Sequence, residues 1–195
     1  MVVIPSALLA RLQVMYSEPH RHYHTLAHIG ALLGGLAHWR ALARAPHLVE
    51  AAIWFHDAIY DTHRDDNEPR SAELARNELR ALAWPEADVA RVVTMVRATR
   101  HHAAAISDAD TLLFLDLDLS VLAQRPDVYD AYSAAVRAEF GWVEAARYRA
   151  GRARVLQNFM NRDAIYRTPA LHAAWDSAAR SNFARELQAL ADQTG

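Results

Sequence analysis

The sequence predicts an all-α protein, a helical bundle with additional helices at its C-terminal end. Three observations support this fold class. Apolar residues recur at the three- and four-residue spacing of an amphipathic helix in nearly every segment. Ser, Thr, Asp, Asn and Pro precede these segments, as they do at helix N-termini. We find no segment with the two-residue alternation of a strand, no internal repeat and no low-complexity tract.

The first three helices are predicted from their starts and from their apolar spacing. Ser6 is a suitable N-cap for a short first helix. The second helix runs from about Thr25 to Ala43, because leucine and isoleucine recur there with a period near 3.6 residues. Pro46 suits the first turn of a third helix, which its apolar residues carry to His56-Asp57.

The next three helices follow the same rules. Asp66 or Asn67 is a suitable cap for a fourth helix. Pro85 begins a fifth helix, and valines at helical spacing carry it to His101-His102. Ser107 or Asp108 caps a sixth, leucine-rich helix.

Three further helices complete the predicted fold. Pro126 begins the seventh helix, and the long eighth helix runs from about Trp142 to Arg162. Thr168-Pro169 combines a cap with a proline in the first turn, which predicts a last helix ending near Ala191.

Length and composition indicate one ordinary globular domain. With 195 residues, 52% of them hydrophobic, the chain is long enough to bury a substantial core. We expect a single domain over 1–195, with a core at about 20–125 and the C-terminal helices of 126–193 packed on it. A homodimer is left open.

Charge and residue usage restrict the partners and the metal chemistry. The 21 basic and 23 acidic residues leave no basic excess, so we expect neither a nucleic-acid polymer nor a membrane as partner. No secretory signal or membrane-spanning stretch is present, which predicts a cytoplasmic protein. The absence of cysteine excludes thiolate chemistry and leaves histidine and carboxylate as metal ligands.

The pair His56-Asp57 lies inside the apolar run from Ile53 to Asp61. Burying an imidazole and a carboxylate without partners costs about several kcal/mol of folding free energy. A bound cation can compensate both groups at once. The alternative is a satisfied core histidine beside a capping aspartate. The metal hypothesis gains weight because His24 and His28 lie upstream and Asp116 and Asp118 downstream, also next to apolar helical sequence.

The order His28, His56-Asp57, Asp118 resembles the HD-domain superfamily of metal-dependent phosphohydrolases, which are all-α proteins. Tyr23-His24-Thr25 followed by His28 looks like the Tyr-His-Asn segment of cyclic-nucleotide phosphodiesterases. The resemblance implies that His28, His56, Asp57 and Asp118 bind a metal ion and that His24 is a catalytic acid. Asp118-Leu119-Ser120 is similar to the Asp-Leu-Ser of the phosphodiesterases, which favours Asp118 over Asp116.

The wider sequence resembles a family of small predicted HD phosphohydrolases of unassigned substrate. The residues that carry this wider resemblance are Asp66-Asn67-Glu68, Ser71, Tyr129, Tyr132, Arg137 and Gly151-Arg152. Two departures from the phosphodiesterases matter. Ala58-Ile59-Tyr60 replaces their histidine-containing continuation, and no glutamine-bearing base pocket is found, so cyclic-nucleotide specificity is not implied.

Further roles are assigned around the predicted ligands. Asp116 and Asp118 are two residues apart, so their side chains point about 200° apart on a helix. Asp116 is therefore expected to contact the ligands rather than the ion. Glu68 is expected to orient a ligand histidine. Asp57 is also the expected base, and His24 or His102 protonates the leaving oxygen. Substrate phosphate is expected to contact basic side chains. The candidates for this contact are Arg21, His101, Arg137, Arg152 and Arg162.

Each of these roles has a plainer alternative. His24 is otherwise an N-cap or a partner of Asp61, and His101-His102 a solvated helix end. Glu68 is otherwise a favourable charge in a first helical turn. Each arginine alone is more often part of a surface salt bridge.

The sequence thus predicts a metal-dependent phosphohydrolase acting on a small phosphorylated metabolite, a nucleotide foremost. The expected cofactor is a divalent ion, one of Mn, Fe, Co, Ni, Zn or Mg, and one or two ions are left open. A non-catalytic metal or nucleotide sensor is the alternative. An all-α transcriptional regulator is a further one, disfavoured by the net charge of -2.

Overall fold

The computed structural model describes residues 4–100 and 107–192. These residues form nine α-helices and two short 3-10 helices, and none of them lies in a strand. The predicted all-α class is therefore confirmed. Within the described part of the chain, no helix is long and apolar enough to cross a membrane.

The chain divides into two compact units between Leu117 and Asp118. The α-helices are α1 (Ser6–Met15), α2 (Leu26–His38), α3 (Pro46–Phe55), α4 (Asn67–Ala81), α5 (Glu86–Ala98), α6 (Ala109–Asp118), α7 (Pro126–Glu139), α8 (Ala145–Met160) and α9 (Pro169–Asp192). The 3-10 helices are Arg40–Leu42 and Leu119–Ala123. The expectation of one domain over 1–195 stays a prediction.

Capping residues and prolines define many of the helix starts, as predicted. The Thr25 hydroxyl accepts a hydrogen bond from the backbone N–H of Ala27 at 3.3 Å and caps α2. Asp108 accepts from the N–H and the hydroxyl of Thr111 at 2.9 and 2.7 Å and caps α6. Pro46 and Pro126 occupy the first turns of α3 and α7.

Several predicted boundaries were wrong. Helix α2 ends at His38 rather than Ala43, because the chain tightens into a 3-10 turn there. Helix α8 begins at Ala145 rather than Trp142, because the Glu144 carboxylate accepts from the N–H groups of Ala146 and Arg147.

Two further boundaries differ, at the start of α1 and at the end of α5. Ser6 is the first residue of α1, and Pro5 precedes it without a side-chain cap. Helix α5 ends at Ala98 and continues as a turn at Thr99 and Arg100, so its predicted extension was wrong there, and His101-His102 lie outside the described residues.

Helix α3 forms the centre of the first unit. Seven of its ten residues are buried, and it packs against α1, α2, α4 and α5. A helix with so many apolar residues is stable only when neighbouring helices cover most of its surface. This burial places the C-terminal end of α3, and His56 directly after it, among the surrounding helices.

The second unit is built around α9 and the 3-10 helix Leu119–Ala123, which pack against each other. The Asn182 side-chain amide on α9 donates to the carbonyls of Leu122 and Gln124, both at 2.9 Å. The Tyr166 hydroxyl donates to the carbonyl of Leu119 at 2.9 Å. These bonds join α9 and Tyr166 to the backbone of the 3-10 helix and of Gln124 after it.

Candidate metal centre

His56 is held in one ring orientation at the C-terminal end of α3. Its side chain is 1% exposed, and its Nδ1 lies 2.9 Å from the carbonyl oxygen of Ile53. A carbonyl only accepts hydrogen bonds, so Nδ1 carries the proton and donates it. In the neutral ring Nε2 therefore carries a lone pair rather than a proton, which is the arrangement of a metal-binding imidazole.

His28 brings a second ring nitrogen to the same point. It lies in the first turn of α2 and is buried, and the backbone there is fixed by the Thr25 cap. Its Nε2 is 3.2 Å from Nε2 of His56. Two nitrogens bound to one ion at about 2.1 Å each lie at most about 4.2 Å apart, so this separation fits two ligands of a single ion.

Asp118, the last residue of α6, completes a three-residue group. One carboxylate oxygen of Asp118 and one ring nitrogen each of His28 and His56 lie within 4.8 Å of one another. The first nine residues of α6 belong to the first unit, and the helix carries Asp118 as its tenth. Among the described residues this is the group of histidine and acidic side chains that can hold a metal ion.

Asp57 lies beside this group. Its Oδ2 is 3.1 Å from Nε2 of His56, the same nitrogen that faces His28. With its proton on Nδ1, the neutral His56 ring cannot donate to the Asp57 carboxylate, so a cation beside both groups would stabilise this contact. A divalent ion compensates the three groups together.

His24 lies next to Asp57 but outside the three-residue group. Its Nε2 is 3.9 Å from Oδ2 of Asp57, longer than a hydrogen bond, and its side chain is 21% exposed. Its ring packs on Tyr60 with 4.3 Å between centroids. The N-cap of α2 is Thr25, so His24 does not serve as that cap.

The segment after Asp57 is fixed by two side chains of α4. The Ser71 hydroxyl accepts from the N–H of Ile59 at 3.0 Å and donates to the carbonyl of Ile59 at 3.2 Å. The Asn67 amide makes the same reciprocal pair with the backbone of Asp61, at 3.1 and 2.8 Å. These four bonds hold Tyr60, and through it the ring of His24, in place.

Arg21 is placed differently from its predicted role in substrate binding. Its side chain is fully buried and donates to the backbone carbonyls of Asp57 at 2.7 Å, Ala58 at 3.0 Å and His24 at 3.1 Å. It also donates to Glu18 at 3.0 Å. These contacts tie the segment that carries His24 to the end of α3, so they favour a structural role.

Asp116 and Glu68 were expected to contact the ligands rather than the ion. Asp116 is buried in α6 two residues before Asp118, and the three-residue group contains Asp118 and not Asp116. Glu68 lies in the first turn of α4. The acceptor that orients His56 is the Ile53 carbonyl, and the expected role of Glu68 in orienting a ligand histidine stays a prediction.

The remaining predicted substrate contacts lie in the second unit or outside the described residues. Arg152 donates to both carboxylate oxygens of Glu186, at 2.8 and 3.0 Å. Arg137 donates to the carbonyls of Phe140 and Val143, at 2.6 and 3.1 Å. Both side chains therefore make interactions within the second unit. His101 and His102 lie outside the described residues.

Sequence reasoning missed the residues that position the centre. The residue type at position 53 does not indicate that its backbone carbonyl binds His56. Only its position three residues before His56 suggests the contact. Tyr60 lies in the same apolar run as the His-Asp pair, and this position could have predicted its place near the site, where it packs on His24.

Comparisons of this chain with family models, with curated proteins and with solved structures gave no match. The chemistry of the metal centre therefore rests on its own residues.

Proposed function

We propose that the protein is a metal-dependent phosphohydrolase of the HD type, acting on a small phosphorylated metabolite. The observation that carries the proposal is the convergence of His28, His56 and Asp118, with Asp57 and His24 directly beside them. These residues follow the order of the HD-domain phosphohydrolases. A nucleotide is the foremost substrate class, and it rests on that resemblance.

The donor set fits a divalent ion of borderline or hard character. Two imidazole nitrogens and carboxylate oxygens, without sulfur, suit Mn, Fe, Co, Ni, Zn or Mg. His28, His56 and Asp118 would hold the ion, with Asp57 as the adjacent carboxylate. When bound, such an ion supplies Lewis acidity to a phosphoryl group and acidifies water.

Asp57 and His24 divide the proton transfers between them. Asp57 accepts a proton from the attacking water, since its carboxylate is already oriented beside His56. His24 donates a proton to the leaving oxygen, since its ring is partly exposed and lies outside the ligand group.

Phosphate release from a panel of nucleotides and phosphate esters tests this function. The purified protein is stripped with a chelator and reloaded with Mn, Fe, Co, Ni, Zn or Mg in turn. We expect release with at least one metal, loss of release in His56→Ala, and unchanged release in His38→Ala. His38 is a matched control because it lies exposed at the other end of α2.

The proposal is contradicted if the wild-type protein retains metal and hydrolyses none of the substrates. Such a protein binds metal without phosphohydrolase activity. That outcome favours the sensor alternative.

A further inference from the structure

A second candidate site lies in the second unit, in an open cleft formed by α7, α8 and α9. Its volume is about 370 Å³, within the range of small-molecule sites. Three arginines and two carboxylates are among its lining residues. These charged residues are Arg137, Arg149, Arg185, Asp130 and Glu186.

Both carboxylates of the cleft are already engaged. Glu186 accepts from Arg152, from the hydroxyl of Ser133 at 2.8 Å and from the hydroxyl of Tyr129. Asp130 pairs with Arg185 at 2.6 Å. No hydrogen bond joins either carboxylate to Arg137 or to the Nε of Arg149, and both arginines line the cleft.

Two buried donors on α8 have no partner in the described protein. The Arg149 Nε and the Tyr148 hydroxyl are both shielded from solvent and make no hydrogen bond. Buried polar groups are almost always hydrogen-bonded, so two such atoms on adjacent residues of one cleft require an explanation. The Arg137 guanidinium lies 4.6 Å from the centre of the Tyr148 ring and adds positive charge at the same place.

The chemistry of these groups specifies the missing partner. A guanidinium Nε–H only donates, and it carries a permanent positive charge. Burial raises the pKa of Tyr148, which keeps its hydroxyl protonated and able to donate. The nearest carboxylate along the chain, Glu144, is bound to the N–H groups at the start of α8. The missing partner is therefore an acceptor with negative charge.

We propose that the cleft lined by Arg137, Tyr148 and Arg149 binds a small oxyanion, the phosphate or carboxylate group of a small molecule. Phosphate and carboxylate share the acceptor geometry that an arginine recognises. This site is separate from the metal centre and does not depend on the proposed phosphohydrolase activity.

Titration calorimetry with inorganic phosphate and with acetate tests the site, at constant ionic strength and on the full-length protein. We expect saturable binding of at least one anion. The anion that binds more tightly shows whether the cleft takes a phosphate or a carboxylate group. Arg149→Gln should weaken this binding about tenfold or more, because it removes a charged donor. Arg154→Gln should leave binding unchanged, because Arg154 is exposed on the same helix.

Tyr148→Phe distinguishes a ligand contact from a structural one. The hydroxyl has no partner within the protein, so its removal should not lower the melting temperature without anion. The same variant should bind the anion more weakly. A clear fall in melting temperature without anion would show that the hydroxyl has a structural role and would overturn its assignment to the site.

His56→Ala separates this cleft from the metal centre. The proposal expects anion binding to persist in His56→Ala and to weaken in Arg149→Gln. The reverse pattern would place the anion at the metal centre and overturn the proposal. Absence of saturable binding of both anions, or equal binding by wild type and Arg149→Gln, would overturn it as well.

Discussion

The Nδ1 proton of His56 decides what the other ring nitrogen can bind. Because that proton is donated to the Ile53 carbonyl, Nε2 faces His28 and Asp57 with a lone pair. Each of these neighbours is itself a potential metal ligand, at 3.2 and 3.1 Å. The predictions at the scale of single residues follow from this geometry.

Asp118→Asn should lose more metal than Asp116→Asn. Asp118 supplies a carboxylate oxygen to the group with His28 and His56, whereas Asp116 does not belong to that group. Metal per chain, measured by mass spectrometry on purified variants, checks this expectation. Melting temperatures serve as the control for folding, because Asp116 is buried. Equal losses, or a larger loss in Asp116→Asn, would move the ligand to Asp116.

His24→Ala should lower kcat by about 10²–10⁴-fold, the usual contribution of a general acid. Metal content should stay near that of wild type, because His24 lies outside the ligand group. A nitrophenyl ester needs no proton on its leaving group and should suffer a smaller loss than a natural ester. If the substitution removes the metal, His24 is a ligand. If activity is unchanged on every substrate, its role is structural.

Arg21→Met should destabilise the protein, since it removes the donor to the backbone carbonyls of His24, Asp57 and Ala58. A buried acceptor left without its donor costs about 1–3 kcal/mol. Urea unfolding measures the loss in the free energy of unfolding. Arg11→Met is the control and should lose less, because Arg11 is exposed in its pair with Glu78. Equal losses in both variants would contradict the structural role of Arg21.

At the scale of helices, Glu186 on α9 links α7 and α8. Its carboxylate accepts from Tyr129 and Ser133 on α7 and from Arg152 on α8. Burial by itself would raise the pKa of Glu186. The bonds from Arg152, Tyr129 and Ser133 outweigh burial and hold the pKa below its usual value of 4.5.

The low pKa of Glu186 predicts a pH-dependent contribution to stability. A carboxylate with a depressed pKa in the folded protein stabilises above its unfolded pKa, and this contribution is lost as pH falls through the folded value. Wild type should therefore exceed Glu186→Gln in free energy of unfolding at pH 7, and the difference should shrink below about pH 4.5. Urea unfolding between pH 7 and pH 3 measures it. A difference that is constant with pH would contradict this assignment.

Helix starts were predictable because they carry a chemical signature. Thr25, Pro46 and Asp108 stand where a free N–H needs an acceptor or where a proline fits. Helix ends carry weaker signals. The change from α-helix to 3-10 turn after His38 and after Asp118 alters the hydrogen-bond spacing without a change in residue type, so the apolar pattern continued past both ends.

Three of the four predicted ligands form the group that could hold a metal ion, and Asp57 lies beside it, whereas the residues that position them were not predicted. His28, His56 and Asp118 stood out because a polar residue in an apolar run requires a partner. The hydrogen bonds that position the site are made to backbone carbonyls, by Arg21 and by His56. A carbonyl is present in every residue and gives no sequence signal. The unpaired donors of Tyr148 and Arg149 likewise become visible only once the helices are packed.

At the scale of the whole molecule, a bound ion should stabilise the fold. Its ligands come from the start of α2, the end of α3 and the end of α6, which are distant in sequence. Chelation should therefore lower the melting temperature, by about 5–10 °C relative to protein with free metal at about 100 times the Kd. Differential scanning calorimetry measures the shift, and metal re-addition should reverse it. An unchanged melting temperature would contradict a metal that binds the folded protein.

The central claim is that His28, His56 and Asp118 hold a divalent ion, and metal content per chain tests it most directly. Elemental analysis compares wild type, His56→Ala and the exposed-histidine control His38→Ala, all purified without added metal and then dialysed against the same mixture of divalent metals. We predict bound metal in wild type and in His38→Ala and its loss in His56→Ala. Equal metal content in wild type and His56→Ala would contradict the claim.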